Sequence, residues 1–117
     1  MRYTATGMQA ADTLVYAYAV VANGAILRPD RCLADTDGSW VYVWNDLPVG
    51  ALVIRVFLFR EGMGYWEPIL LPAPSDAQRQ TLEALLRIHG LDIANGIGLK
   101  KAARDWGIPM WDDRIRG

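Results

Sequence analysis

Tight-turn signals recur through the first 71 residues of this chain and leave only short segments between them. The strongest signal is Asn23-Gly24, because both residues tolerate the positive φ that a two-residue hairpin requires. Turns rich in Asp, Gly or Pro follow at 35–40 and 45–50, and glycines turn the chain again at 62–64. The turns therefore predict a strand-rich fold for residues 1–71.

The segments between these turns carry strand patterning. Residues 13–21 alternate large tyrosines with small alanines, and residues 40–44 alternate aromatic residues with valines. Residues 51–61 are apolar on both faces except for Arg55, a composition that favours the central strand of a sheet. Two further predicted strands complete the set: 25–28 and 65–71.

The pattern changes to that of a helix after Pro74. Ser75 and Gln78 have the spacing of a helix capping box, and apolar residues then recur on one helical face as far as His89, before Gly90. The same spacing predicts a second helix over 99–106.

The predicted fold is therefore α+β within a single domain spanning 1–117. An antiparallel β-meander or small sandwich-like sheet of about five to six strands occupies 1–71. Two C-terminal helices in 75–117 are expected to pack on this sheet.

Charge and cysteine content restrict the partners. A net charge of −1 provides no overall attraction to nucleic acid or to anionic lipid. Cys32 is the only cysteine, so no disulfide can form within the chain, which favours a cytoplasmic protein. The longest uncharged apolar run, 14–22, is too short to span a bilayer, so no membrane partner is expected.

The residues that usually carry chemistry do not converge. His89 is the only histidine, which excludes a His-rich metal site, and it is expected to pack at the end of its helix. Asp35 and Asp37 begin like a calcium loop, but Trp40 stands where that loop requires glycine. The sequence therefore predicts no catalytic residue, no metal and no cofactor.

The aromatic stripe of Trp40, Tyr42 and Trp44 has two interpretations. The three side chains share one face of a strand, which is either the face toward the core or, if the intervening valines are buried, the face toward solvent. In the second case the stripe forms a protein-binding surface that Arg55 on a neighbouring strand could border.

Two short resemblances bear on function. Asp37-Gly38, the Leu-Pro-Val-Gly run at 47–50 and the strand at 52–56 resemble prealbumin-like and carboxypeptidase-regulatory-like β-sandwich domains. That resemblance implies a sandwich-like meander and a binding or structural module without an activity.

The C-terminal stretch resembles pipsqueak-type helix-turn-helix domains in 101–103, in Gly107-Ile108-Pro109 and in its last four residues, 114–117. The eight residues after Pro109 give barely two helical turns, fewer than a recognition helix uses. The resemblance implies DNA binding by residues 82–117. The basic residues that would contact nucleic acid are Lys100, Lys101, Arg104, Arg114 and Arg116.

The function predicted from sequence is a small, non-enzymatic protein-interaction module. It would bind or occlude a partner protein or assemble with copies of itself, as small inhibitors and assembly factors of phage and mobile elements do by analogy. The alternative is the DNA-binding protein described above. An enzyme ranks last because no catalytic constellation is evident.

Overall fold

A computed structural model describes residues 2–10, 13–34 and 39–98. The strands in chain order are β1 (Tyr3–Ala10), β2 (Thr13–Val20), β3 (Ile26–Leu27), β4 (Arg31–Ala34), β5 (Ser39–Trp44), β6 (Leu52–Phe59) and β7 (Gly64–Leu70). One α-helix, α1 (Asp76–Ile88), and one 3-10 turn (Ile93–Asn95) follow them.

Strand β1 belongs to two antiparallel sheets. Its residues Tyr3 to Met8 pair with β5, and β5 pairs with β4 on its other side; these three strands are called the small sheet. Gln9 and Ala10 pair with β2, which continues through β6 to β7 and also pairs with the short β3; these four strands are called the large sheet. The path β4-β5-β1-β2-β6-β7 is therefore not a simple meander, because β1 lies between strands that follow it in the chain.

The predicted fold class is wrong. The described residues are mostly β, in two antiparallel sheets, and one α-helix with a 3-10 turn follows the strands instead of two packed C-terminal helices. The segment 99–106, predicted as the second helix, lies outside the described residues. The residues that follow α1 do not continue as a helical layer because they return to the sheet. There, Ile97 N–H donates to the Trp66 carbonyl at 2.8 Å.

The two sheets and the helix form three layers. One face of the large sheet packs on α1 through a core that includes Ile54, Trp66 and Leu82, all fully buried. The other face packs on the small sheet, where Ala19 and Trp44 are also fully buried. The small alanine side chains of β2 leave space for the indole, so the sheets approach closely at this end.

Helix α1 begins at the predicted capping box, which is confirmed. The Ser75 hydroxyl accepts from Gln78 N–H and the Gln78 side chain accepts from Ser75 N–H, both at 3.0 Å. The Gln78 amide also donates to the carbonyls of Val20, at 3.0 Å, and Gly50, at 2.8 Å. One buried glutamine thus connects the start of α1 to the last residue of β2 and to the turn that precedes β6.

Trp66 holds the segment that follows the helix. Its indole N–H donates to the Asp92 carbonyl at 3.0 Å. Gly96 lies against the same ring, since a Cβ built on this glycine would stand 2.8 Å from the indole carbons. The absence of a side chain at position 96 therefore lets the chain pass beside β7.

Candidate functional site

The small sheet covers only part of the face of the large sheet. Ala17, Ala19 and Val53 lie beneath it, whereas the opposite end of the same face remains open. That open end forms a cleft of about 320 Å³, which is called the aromatic cleft. Its lining residues come from four strands: Thr6, Thr13, Val15, Arg55, Phe57, Phe59 and Tyr65.

Three half-buried aromatic rings make the floor of the aromatic cleft. Phe57 and Tyr65 are directly opposite each other on β6 and β7, and their rings stack with centroids 4.6 Å apart and planes 15° apart. Phe59 completes the group, 5.7 Å from Tyr65 at a tilt of 42°. Cross-strand aromatic pairs of this kind stabilise a sheet, and here they also expose ring surface.

Arg55 lies at the end of the aromatic cleft that adjoins the small sheet. Its Nε donates to Glu67 Oε1 at 2.8 Å, its Nη2 donates to the same oxygen, and its Nη1 donates to the Thr6 carbonyl at 3.3 Å. The guanidinium carbon also lies 5.5 Å from the centroid of the Phe57 ring. Arg55 thereby joins β1 of the small sheet to β7 of the large sheet and keeps a fixed position at the edge of the aromatic floor.

The chemistry of the aromatic cleft follows from these contacts. The rings provide an apolar, polarisable surface, and the Arg55–Glu67 pair places a cation and an anion side by side at one end. An arginine side chain has five N–H donors, and three of them are used in the bonds above, which leaves two. The site can therefore hold an apolar side chain and, beside it, an acceptor such as a carboxylate. Among the described residues, no group of three or more His, Cys, Asp or Glu could hold a metal ion.

The aromatic stripe predicted from sequence faces the large sheet. Trp44 is fully buried, and its indole N–H donates to the Leu27 carbonyl at 2.9 Å. Tyr42 packs against the same core, and burial raises the pKa of its phenol. Trp40 is on the same face by alternation and is half-buried. The hypothesis that the three rings point to solvent together therefore does not hold, and the structure places Arg55 beside other aromatic residues.

The basic residues of the DNA-binding alternative cannot be placed. Lys100, Lys101, Arg104, Arg114 and Arg116 all lie outside the described residues. That alternative remains a prediction from sequence.

A second aromatic group surrounds His89 on the helix side of the large sheet. Its Nε2 lies 2.7 Å from the Tyr18 hydroxyl, and its ring stacks on Tyr16 with centroids 5.4 Å apart. Burial lowers the pKa of His89 and raises the pKa of Tyr18. This half-buried group packs at the end of the helix, as expected for the histidine from sequence.

The three rings of the aromatic cleft were not identified from the sequence. Phe57 and Phe59 alternate along β6, and Tyr65 follows after the glycine turn at 62–64, so a period of two across a hairpin is the signal that could have found them. That signal was obscured because β6 is apolar on both faces except for Arg55.

No helix among the described residues has both the length and the apolar character needed to cross a membrane. Searches against protein-family models, curated proteins and solved structures gave no significant match for this chain.

Proposed function

We propose that this protein is a protein-interaction module that captures a segment of a partner protein in the aromatic cleft. The observation that supports this proposal best is the uncovered end of the large sheet, where the stacked rings of Phe57 and Tyr65 and the tilted ring of Phe59 lie next to Arg55. Aromatic and arginine side chains are enriched among the residues that dominate binding energy in protein interfaces.

The size of the aromatic cleft favours a protein segment over an enclosed small ligand. Its volume of about 320 Å³ is near the lower end of the range of about 300–1,000 Å³ typical of sites that enclose drug-sized molecules. A shallow cleft of this size suits one or two anchoring side chains of a larger partner, while the surrounding surface contacts the rest of that partner.

The contacts also define the chemistry of the partner segment. A bulky apolar side chain would pack against the exposed parts of the Phe57, Phe59 and Tyr65 rings, and an adjacent acidic residue would accept from the remaining N–H groups of Arg55. The pairing of Arg55 with Glu67 means that an acidic partner also meets an existing carboxylate, so the apolar contact is expected to supply most of the affinity.

A displayed library of random peptides tests the proposal. Selection on the immobilised protein is expected to enrich peptides in which a bulky apolar residue adjoins an acidic residue. Thr13→Trp would place an indole at the rim of the aromatic cleft, because Thr13 lines the cleft and lies on the same face of β2 as Ala17 and Ala19; it is expected to weaken binding of these peptides at least about tenfold.

Leu14→Trp is the matched control. Leu14 follows Thr13 on β2 and is 38% exposed, but it lies on the opposite face and does not line the aromatic cleft. Peptides that bind the wild type and the Leu14→Trp variant equally but fail to bind Thr13→Trp would support the proposal. Selected peptides that bind all three proteins alike would show that the aromatic cleft is not the binding site.

A further inference from the structure

Strand β4 leaves one edge of the small sheet open. It pairs with β5 in an unbroken register from Arg31 to Ala34, and no other strand of the described residues pairs with it. All four of its side chains are exposed, including Leu33 at 45%. In a strand with one partner, alternate residues direct their backbone N–H and C=O groups away from the sheet, where only another extended segment can pair with them regularly.

The opposite end of the strand path is protected. Strand β7 carries Pro68, which has no N–H to donate, and its register with β6 is interrupted between Val53 and Ile54. Gly96 forms a parallel bridge with Trp66 on the outer side of β7. Proline, irregular register and covering segments are among the means by which proteins prevent strand addition, and within the described ranges β4 has none of these three. Its only protective features are its length of four residues and the charge of Arg31.

We propose that β4 pairs antiparallel with β4 of a second copy of this chain, which joins the two small sheets into one continuous sheet. A second copy fits this edge because a two-fold axis places two identical strands antiparallel to each other, so that the N–H and C=O groups of one β4 face those of the other. The net charge of −1 gives little repulsion between two copies. This inference does not rest on the aromatic cleft, which is lined by other residues.

Backbone geometry restricts the register of this pairing. In an antiparallel pair, residues that direct hydrogen-bonding groups toward the partner must lie opposite residues that do the same. These residues alternate along the strand, so each residue must pair with one that is an even number of positions away in the sequence. The two-fold axis therefore passes through a residue and not between two residues. An axis through Cys32 or through Leu33 gives three residue pairs within β4, and an axis through either end residue gives only one.

The charge of Arg31 favours Leu33, and not Cys32, as the residue on the two-fold axis. With Leu33 opposite its own copy, the two Arg31 positions are offset by four residues, or about 13 Å along the strands. With Cys32 at the centre, that offset falls to two residues, or about 7 Å, on the same face. The Leu33 register also places two exposed leucines against each other, so it buries apolar surface at the centre of the interface.

Disulfide trapping tests this register. Across the axis, the two Leu33 Cα atoms would be about 4.5–5.5 Å apart, within the range that a disulfide spans. The Cys32 Cα atoms would be about 8 Å apart, which is beyond that range. Cys32→Ser/Leu33→Cys is therefore expected to form a covalent dimer under mild oxidation much faster than the wild type. The control is Cys32→Ser/Val49→Cys, because Val49 is 97% exposed and belongs to the turn between β5 and β6. Faster cross-linking through the native Cys32 would overturn the assigned register.

Sedimentation of the untrapped protein tests the association itself. The wild type is expected to show a concentration-dependent dimer, and Leu33→Lys is expected to weaken it at least about tenfold by placing like charges opposite each other. Ile26→Lys is the matched control, since Ile26 is 46% exposed and lies on β3. A wild type that stays monomeric at millimolar concentration, or a dimer that Leu33→Lys and Ile26→Lys affect equally, would overturn the proposal. Thr13→Trp, which lines the aromatic cleft, is expected to leave the dimer intact, which separates this test from that of the aromatic cleft.

Discussion

Replacing Gln78 by alanine is expected to destabilise the fold far more than a surface helix substitution does. Gln78 is only 2% exposed, and its side chain makes three hydrogen bonds: it accepts from Ser75 N–H and donates to the carbonyls of Val20 and Gly50. Alanine removes all three bonds. The Val20 carbonyl then loses its partner at a buried position, whereas the groups of Ser75 and Gly50 are partly accessible to water.

The magnitude follows from the number of bonds. A typical hydrogen bond contributes about 1 kcal/mol net, so three bonds give about 3 kcal/mol. Alanine recovers only a few tenths of a kcal/mol through its higher helix propensity. A loss of about 3 kcal/mol is a large share of the roughly 5–15 kcal/mol that stabilises a domain, and for a chain of this length it corresponds to a fall in Tm of about 12 °C.

Urea unfolding of matched variants measures this loss. Gln80→Ala changes the same residue type two positions further along α1, where the side chain is exposed, and is expected to shift the free energy of unfolding by less than about 0.5 kcal/mol. Gln78→Met keeps most of the side-chain volume and should lose nearly as much stability as alanine. Equal stability of the Gln78→Ala and Gln80→Ala variants would refute the connecting role assigned to this glutamine.

Two further predictions concern Trp66 and His89. Gly96→Ala places a Cβ 2.8 Å from the Trp66 indole and is expected to cost about 1–3 kcal/mol in urea unfolding, with a changed near-ultraviolet signal of the tryptophan. Ile97→Ala, at an exposed neighbouring position, should leave that signal intact; an unchanged signal in the Gly96→Ala variant would contradict the packing. Burial lowers the pKa of His89 below its ordinary value of 6.5, so the folded state binds fewer protons than the unfolded state as the pH falls. The free energy of unfolding should therefore decrease from about pH 7.5 to about pH 5.5, and His89→Gln should flatten this slope; equal slopes would show that His89 is not responsible.

The local elements of this fold could be predicted because their signals lie within a few residues of each other. A hairpin turn lies at Asn23-Gly24 as predicted, but its loop is longer than two residues: Val21 N–H donates to the Ala25 carbonyl, and of the two residues only Gly24 has a positive φ, of 90°. Ser75 with Gln78 forms the predicted capping box. Strands β2, β5, β6 and β7 match the predicted segments closely, because period-two patterning between turns is a local property.

Strands β1 and β4 were not predicted as elements. The signal in 3–10 is short, since Tyr3 and Ala5 alternate with Thr4 and Thr6 over only four residues. Residues 31–34 have no such alternation, and all residues of β4 are exposed. Both strands exist because β5 provides hydrogen-bonding partners on each of its sides. A strand that depends on pairing has little signal of its own.

The sequence by itself determined the turns, the helix start and the alternation of faces along the longer strands. Only the tertiary structure decided which face is inside: Trp44 is buried because the alanines of β1 and β2 leave space for its ring, an arrangement formed by residues far apart in the chain. The aromatic cleft depends on the same long-range packing, since Phe57 and Tyr65 remain accessible where the small sheet ends. Periodicity defines two faces of a strand, but the neighbour that packs on each face decides which one becomes a site.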